Sequence, residues 1–154
     1  MKNREAFRYK QQLDTLFEKI ADVGDDPEMQ SHWSKYLCIR VSGFLEVSIR
    51  SIYTDYCKNK SAPFVANYIE KQLGSFQNPT MQKISDLTRA FSPQWADALD
   101  KFSEGEIKDS VGSIVATRNK IAHGDNVGIT FTKIKQYYKN TILLIEFLEK
   151  QCNS

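Results

Sequence analysis

The feature that most constrains the fold is the spacing of apolar residues between Ser31 and Lys58, a stretch with no proline and one glycine. Trp33, Leu37, Val41, Phe44, Leu45, Ile52 and Tyr56 recur there on steps of three and four, the interval at which a helix returns to the same face. Cys38, Val47, Ile49 and Tyr53 widen that face. A helix apolar around much of its circumference needs neighbours on several sides, so this segment is expected near the centre of a helical bundle.

The same periodicity predicts six further helices. The first runs from Arg4 to about Val23, with Phe7, Leu13, Leu16, Phe17 and Ile20 inward, and ends at the GDDP sequence. Pro63 suits the first turn of a helix that carries Phe64, Val65, Tyr68, Ile69 and Leu73 inward and closes near Gly74. The sequence QNPT breaks the chain. A shorter helix with Met81, Ile84, Leu87 and Phe91 follows, and Pro93 opens another with Trp95, Ala98, Leu99 and Phe102. The sixth covers Glu106 to His123. The last, Thr130 to Cys152, places Phe131, Ile134, Tyr138, Ile142, Ile145, Leu148 and Cys152 on one face, with Thr130 or Thr132 as its cap. The expected fold is therefore all-α: an up-and-down helical bundle with a short helical insertion, a single domain over residues 1–154.

Composition narrows the function classes. A formal net charge of +2 is too small for a surface that binds polyanions over a whole face, so any nucleic-acid contact must be local. Cys38, Cys57 and Cys152 are odd in number and lie in apolar helical contexts, which predicts buried thiols rather than disulfides or a metal site. Two distant histidines complete no ligand set, so no metal or cofactor is expected; His32, beside Trp33, reads as a packing or capping residue. The N-terminus is charged, and no apolar run approaches the roughly 20 residues that span a bilayer. A cytoplasmic location without membrane association is the expectation.

The sixth helix carries the anomaly, in the sequence IVATRNKIAHG of residues 114–124. With a turn of about 100° per residue, Ile107, Val111, Val115, Ile121 and Ala122 share one arc with Ile114, and Arg118 falls at about 40°, inside it. An unpaired buried guanidinium is very costly, so either Arg118 meets a carboxylate within the bundle or the stripe opens there into a polar cleft, with snorkelling past the end of the core as a weaker form of the second. His123 lies roughly 140° from Arg118 on an ideal wheel, but Gly124 follows it, and glycine is favoured just past a helix end. There the imidazole either bonds free carbonyls as a cap or stands ready for proton transfer near neutral pH.

The string RNKIAHG resembles the R-x4-H signature of HEPN domains, in which the residue after the arginine is often polar, as Asn119 is here. The long second helix with its small-residue and acidic stretch SGFLEVSIR, a variable middle, the motif helix and a final amphipathic helix are similar to that family over most of the chain, with the RiboL-PSP-HEPN group closest in look. The resemblance implies a HEPN-like bundle and a metal-independent endoribonuclease that acts as a homodimer with a shared active-site cleft, in the setting of a toxin or phage-defence effector restrained by an antitoxin or regulatory protein. On that reading Arg118 and His123 are the catalytic residues. Asn119 orients the phosphate or the imidazole, and Lys120 adds an exposed phosphate contact. Glu46, a carboxylate among apolar neighbours, either pairs with Arg118 and aims it, takes part in catalysis, or sits at a solvated edge. The alternative is a HEPN-like module that binds RNA or a nucleotide, or serves dimer packing, and cuts nothing. The TKIKQYYKN stretch, with Lys133, Lys135, Lys139, Tyr137 and Tyr138, reads as a solvated face around one core tyrosine rather than an RNA platform.

Overall fold

The computed structural model describes residues 1–23 and 26–154. Seven helices form among them, and most begin where a side chain can accept from a free backbone N–H. Helix α1 spans Arg4–Ala21 and is capped by Asn3, whose side chain accepts from Ala6 N–H. Helix α2 spans Pro27–Lys60 under an Asp26 cap with proline in the first turn. It therefore starts four residues before the expected Ser31, and His32 lies inside it. His32 neither packs nor caps. It is exposed, with Nε2 4.0 Å from Glu28, one turn earlier on the same face. The GDDP break falls partly on residues 24 and 25, outside the described residues.

Three helices of 11 residues each follow: α3 (Pro63–Leu73), α4 (Met81–Phe91) and α5 (Pro93–Ser103). Thr80 caps α4, and Ser92 both ends α4 and caps α5. Helix α6 spans Glu106–Ala122, and α7 spans Phe131–Asn153 under a Thr130 cap.

The pairings follow from the side chains that meet. Asn3 bonds Ser51 and Asp55, Tyr9 packs on Phe44, and Gln12 reaches Arg40, so α1 runs antiparallel to α2. Asn3 N–H donates to Glu149, Tyr138 donates to Asp14, and Phe17 packs on Phe131, so α1 also runs antiparallel to α7. Helices α6 and α7 are joined by a short connection and tied inside the core by Asn140 Nδ2 donating to Ser110 Oγ at 2.8 Å. Helix α2 packs against α1, α7, α6 and α3, as its broad apolar face requires.

The expected inward residues of α2 and α7 are buried or partly buried, among them Leu37, Val41, Phe44, Ile134 and Ile145. Each such Leu, Ile or Phe contributes about 1.5–3 kcal/mol. All three cysteines are free and buried, as expected.

Three details differ from the periodicity reading. Phe7 is exposed and Ala6 takes the core position one residue away. Ala98 and Phe102 are likewise exposed while Ala96 and Leu99 are buried. Helix α3 differs most: Phe64 is 87% exposed and Tyr68 65%, with Val65 also open. It packs chiefly on α2, and the face it offers is Ala66, Ile69 and Leu73. A short helix with one neighbour buries one narrow stripe, whatever else it carries. No helix among the described residues is long and apolar enough to cross a membrane.

Candidate functional site

The core stripe of α6 is buried at Ile107, Val111, Ile114 and Val115, with Cys38 Sγ of α2 3.6 Å from the Ile114 carbonyl. One turn later the burial ends. Ile121 is half-buried, Ala122 is exposed, and Arg118 is half-buried at the point where the stripe emerges. Among the described residues no carboxylate pairs with Arg118 and no acceptor takes a hydrogen bond from it. Of the two arrangements open to a guanidinium on this stripe, the helix shows the emerging one.

Glu46 is accordingly not the partner of Arg118. Its Oε1 lies 3.2 Å from Arg50 Nη2, and its Oε2 accepts from the backbone N–H of Asn78 at 2.9 Å. The reason is local: Arg50 is one helical turn further on the same face, within reach without any tertiary arrangement. Arg50 in turn donates to the carbonyls of Phe76 (2.8 Å) and Gly74 (3.1 Å), so the pair clamps the segment between α3 and α4. From that segment Asn78 Nδ2 donates to Asn119 Oδ1 at 3.0 Å. Glu46 thus reaches the motif helix at one remove, through Asn78 and Asn119.

The end of α6 is closed by its backbone. Gly124 adopts φ +77°, and its N–H donates to the Ile121 carbonyl at 3.1 Å while Asp125 N–H donates to that of Lys120 at 2.9 Å. These are the two bonds of a Schellman cap, and the left-handed residue at its turn is the one glycine suits. His123 N–H bonds the Asn119 carbonyl at 3.1 Å. The carbonyls of Asn119, Lys120 and Ile121 are therefore satisfied without the imidazole, which is exposed and has no side-chain partner among the described residues. The capping alternative for His123 is not what the chain adopts. Lys120 and Asn119 are exposed as well, so the last turn presents an ammonium and an amide together with the histidine.

Sequence reasoning missed Asn78 and Arg50. The Asn-Pro dipeptide of QNPT reads as a chain breaker, and only Asn78's left-handed backbone (φ +52°) brings its amide to α6. The lysines of the TKIKQYYKN stretch are exposed while Tyr138 is buried, the pattern of a solvated face. No group of three or more His, Cys, Asp or Glu among the described residues is arranged to hold a metal ion.

A family model described as RiboL-PSP-HEPN matches residues 4–154. No curated protein and no solved structure matches the chain.

Proposed function

Because the chain belongs to the RiboL-PSP-HEPN family, we propose that it is a metal-independent endoribonuclease, a single HEPN domain over residues 1–154 acting as a homodimer. The observation that carries this reading is the pair of functional groups the fold leaves unused. Among the described residues Arg118 is half-buried without a counter-ion and His123 is exposed without a side-chain partner, both in the final turns of one helix. Where the stripe emerges, the guanidinium escapes the cost of an unpaired buried charge and is left available to a ligand.

The chemistry suits those groups. RNA supplies its own nucleophile, and attack of the 2′-hydroxyl on the adjacent phosphorus yields a cyclic phosphate and a 5′-hydroxyl end. His123 transfers the proton, a role typically worth about 10²–10⁴-fold. Arg118 binds the phosphate and stabilises the charge that builds on it in the transition state. Asn119 and Lys120 supply further donors. On one helix Arg118 and His123 diverge by roughly 140°, so two-fold symmetry is the simplest way to bring the arginine of one protomer opposite the histidine of its partner. The setting we favour is a toxin or phage-defence effector in the cytoplasm, restrained by an antitoxin or regulatory protein.

The test is cleavage of total cellular RNA in EDTA by wild type, Arg118→Ala and His123→Ala, each first checked for helical content and for sedimentation as a dimer. Cleavage by the wild type alone, leaving 5′-hydroxyl ends and sparing DNA, is the expected result. If all three fold and dimerise and none cuts, the chain is a non-catalytic module that binds RNA or a nucleotide.

A further inference from the structure

The segment from Gly74 to Thr80 contains no helix, yet it is held by the two Arg50 bonds and by the Glu46 carboxylate on Asn78 N–H. So held, Asn78 sits at φ +52°, a left-handed backbone that asparagine tolerates and most other residues do not. Its side-chain Oδ1 is buried and has no hydrogen-bond partner among the described residues. A buried oxygen left without a partner on this loop residue marks a position kept for something other than stability. What that residue touches is Asn119, the polar residue of the motif.

The contact fixes which end of the Asn119 amide is available. A carboxamide has an accepting oxygen and a donating NH2. Asn78 Nδ2 occupies the Asn119 oxygen at 3.0 Å, which leaves the Asn119 NH2 as its free end. Beside Arg118 and Lys120 this turns one more donor outward, the arrangement that favours a phosphate oxygen. Without Asn78 the amide turns freely and presents its oxygen as readily as its nitrogen.

We infer that Asn78, held by the Glu46–Arg50 clamp, is a positioning residue that turns Asn119 with its NH2 toward a phosphate of the RNA backbone. This rests on the reading above that the end of α6 meets RNA. Asn78 acts through Asn119, so its effect must vanish when Asn119 is gone.

The experiment is a double-mutant cycle with Asn78→Gly, Asn119→Ala and the double variant. Glycine keeps the left-handed backbone and the N–H that Glu46 accepts, so the loop survives removal of the amide. The probe is a 2′-O-methyl RNA oligonucleotide, which lacks the nucleophile and cannot be cut; kcat and KM are measured on the matching RNA. Each single variant should weaken binding about tenfold and raise KM to match, with kcat within about threefold of wild type. The double variant should bind like either single one. Wild-type affinity for Asn78→Gly, or losses that multiply in the double variant, would overturn the proposal. If Asn78→Gly lowers the melting temperature, Asn78→Asp decides instead. Its carboxylate can only accept, so it turns the Asn119 oxygen outward; binding should fall well below wild type and recover its remaining charge effect in high salt. Wild-type affinity for Asn78→Asp overturns the proposal as well. A wild-type chain that obeys the cycle but cuts no RNA defeats the nuclease reading and leaves the positioning role standing. A wild-type chain that does not bind the oligonucleotide defeats the positioning role.

Discussion

Replacing Glu149 by Gln tests how the bundle is closed, independently of the site. Glu149 lies on α7 and is 7% exposed. One carboxylate oxygen accepts from Lys2 N–H and the other from Asn3 N–H, each at 2.6 Å. Asn3 in turn caps α1 through Ala6 N–H and donates to Ser51 at 3.0 Å and Asp55 at 2.8 Å on α2. A single carboxylate therefore anchors the start of α1 to α7, and Asn3 carries that anchor on to α2. Glutamine keeps the shape but has one accepting oxygen, so one backbone N–H must face an NH2 group. Losing a charge-assisted bond and leaving a buried donor unmet costs about 2–4 kcal/mol. For a chain of this length that is a fall of roughly 5–15 °C in melting temperature. The assay is thermal unfolding followed by helical circular dichroism, with urea unfolding to check that the slope is unchanged. Glu149 is about 27 Å along α7 from Phe131, the end nearest the motif, so RNA cleavage well below the melt should match wild type. A melting temperature within about 2 °C of wild type would refute the reasoning, because it would mean that the two short bonds contribute nothing.

Two further perturbations bear on the motif end and on the core. Gly124→Ala forces a Cβ into a backbone at φ +77°, so stability should fall by about 1–2 kcal/mol and cleavage by more than that loss explains, since the cap that sets His123 is disturbed. Gly124→Asn should be milder in both melting and cleavage assays, because asparagine tolerates the left-handed region. Burial pushes the Cys38 and Cys152 thiols up to about 12 and raises that of Cys57. The folded chain should therefore resist a thiol reagent at pH 8 and react fully only in denaturant. The unfolded thiols ionise near their ordinary value, about 8.5, while the folded ones keep their protons. The unfolded chain then binds fewer protons, and stability should fall between about pH 8.5 and 12, read as a falling urea midpoint. A flat or rising midpoint would overturn this.

Much of the fold was legible because it rests on local physics. Pro63 and Pro93 at helix starts, Thr130 as a cap, and steps of three and four along α2 and α7 need no knowledge of what lies opposite. Arg118 inside an apolar arc and Gly124 after His123 were visible for the same reason. Periodicity failed on α3, where Phe64, Val65 and Tyr68 look inward on paper and are exposed in fact. Hydrophobicity states what a residue gains from a neighbour, not whether one is there.

The sequence by itself determined the helical class, the position of most helix ends and the identity of the motif, since each follows from interactions within a few residues along the chain. The Glu46–Arg50 pair is an i,i+4 contact that spacing encodes, but only the tertiary structure decided that Glu46 also takes Asn78 rather than Arg118, and that Asn78 meets Asn119. It alone decided that Arg118 and His123 are left without side-chain partners among the described residues. Those outcomes depend on which of several reachable partners a charged group meets first. That is set by the packing of helices distant in sequence, and no spacing along one chain encodes it.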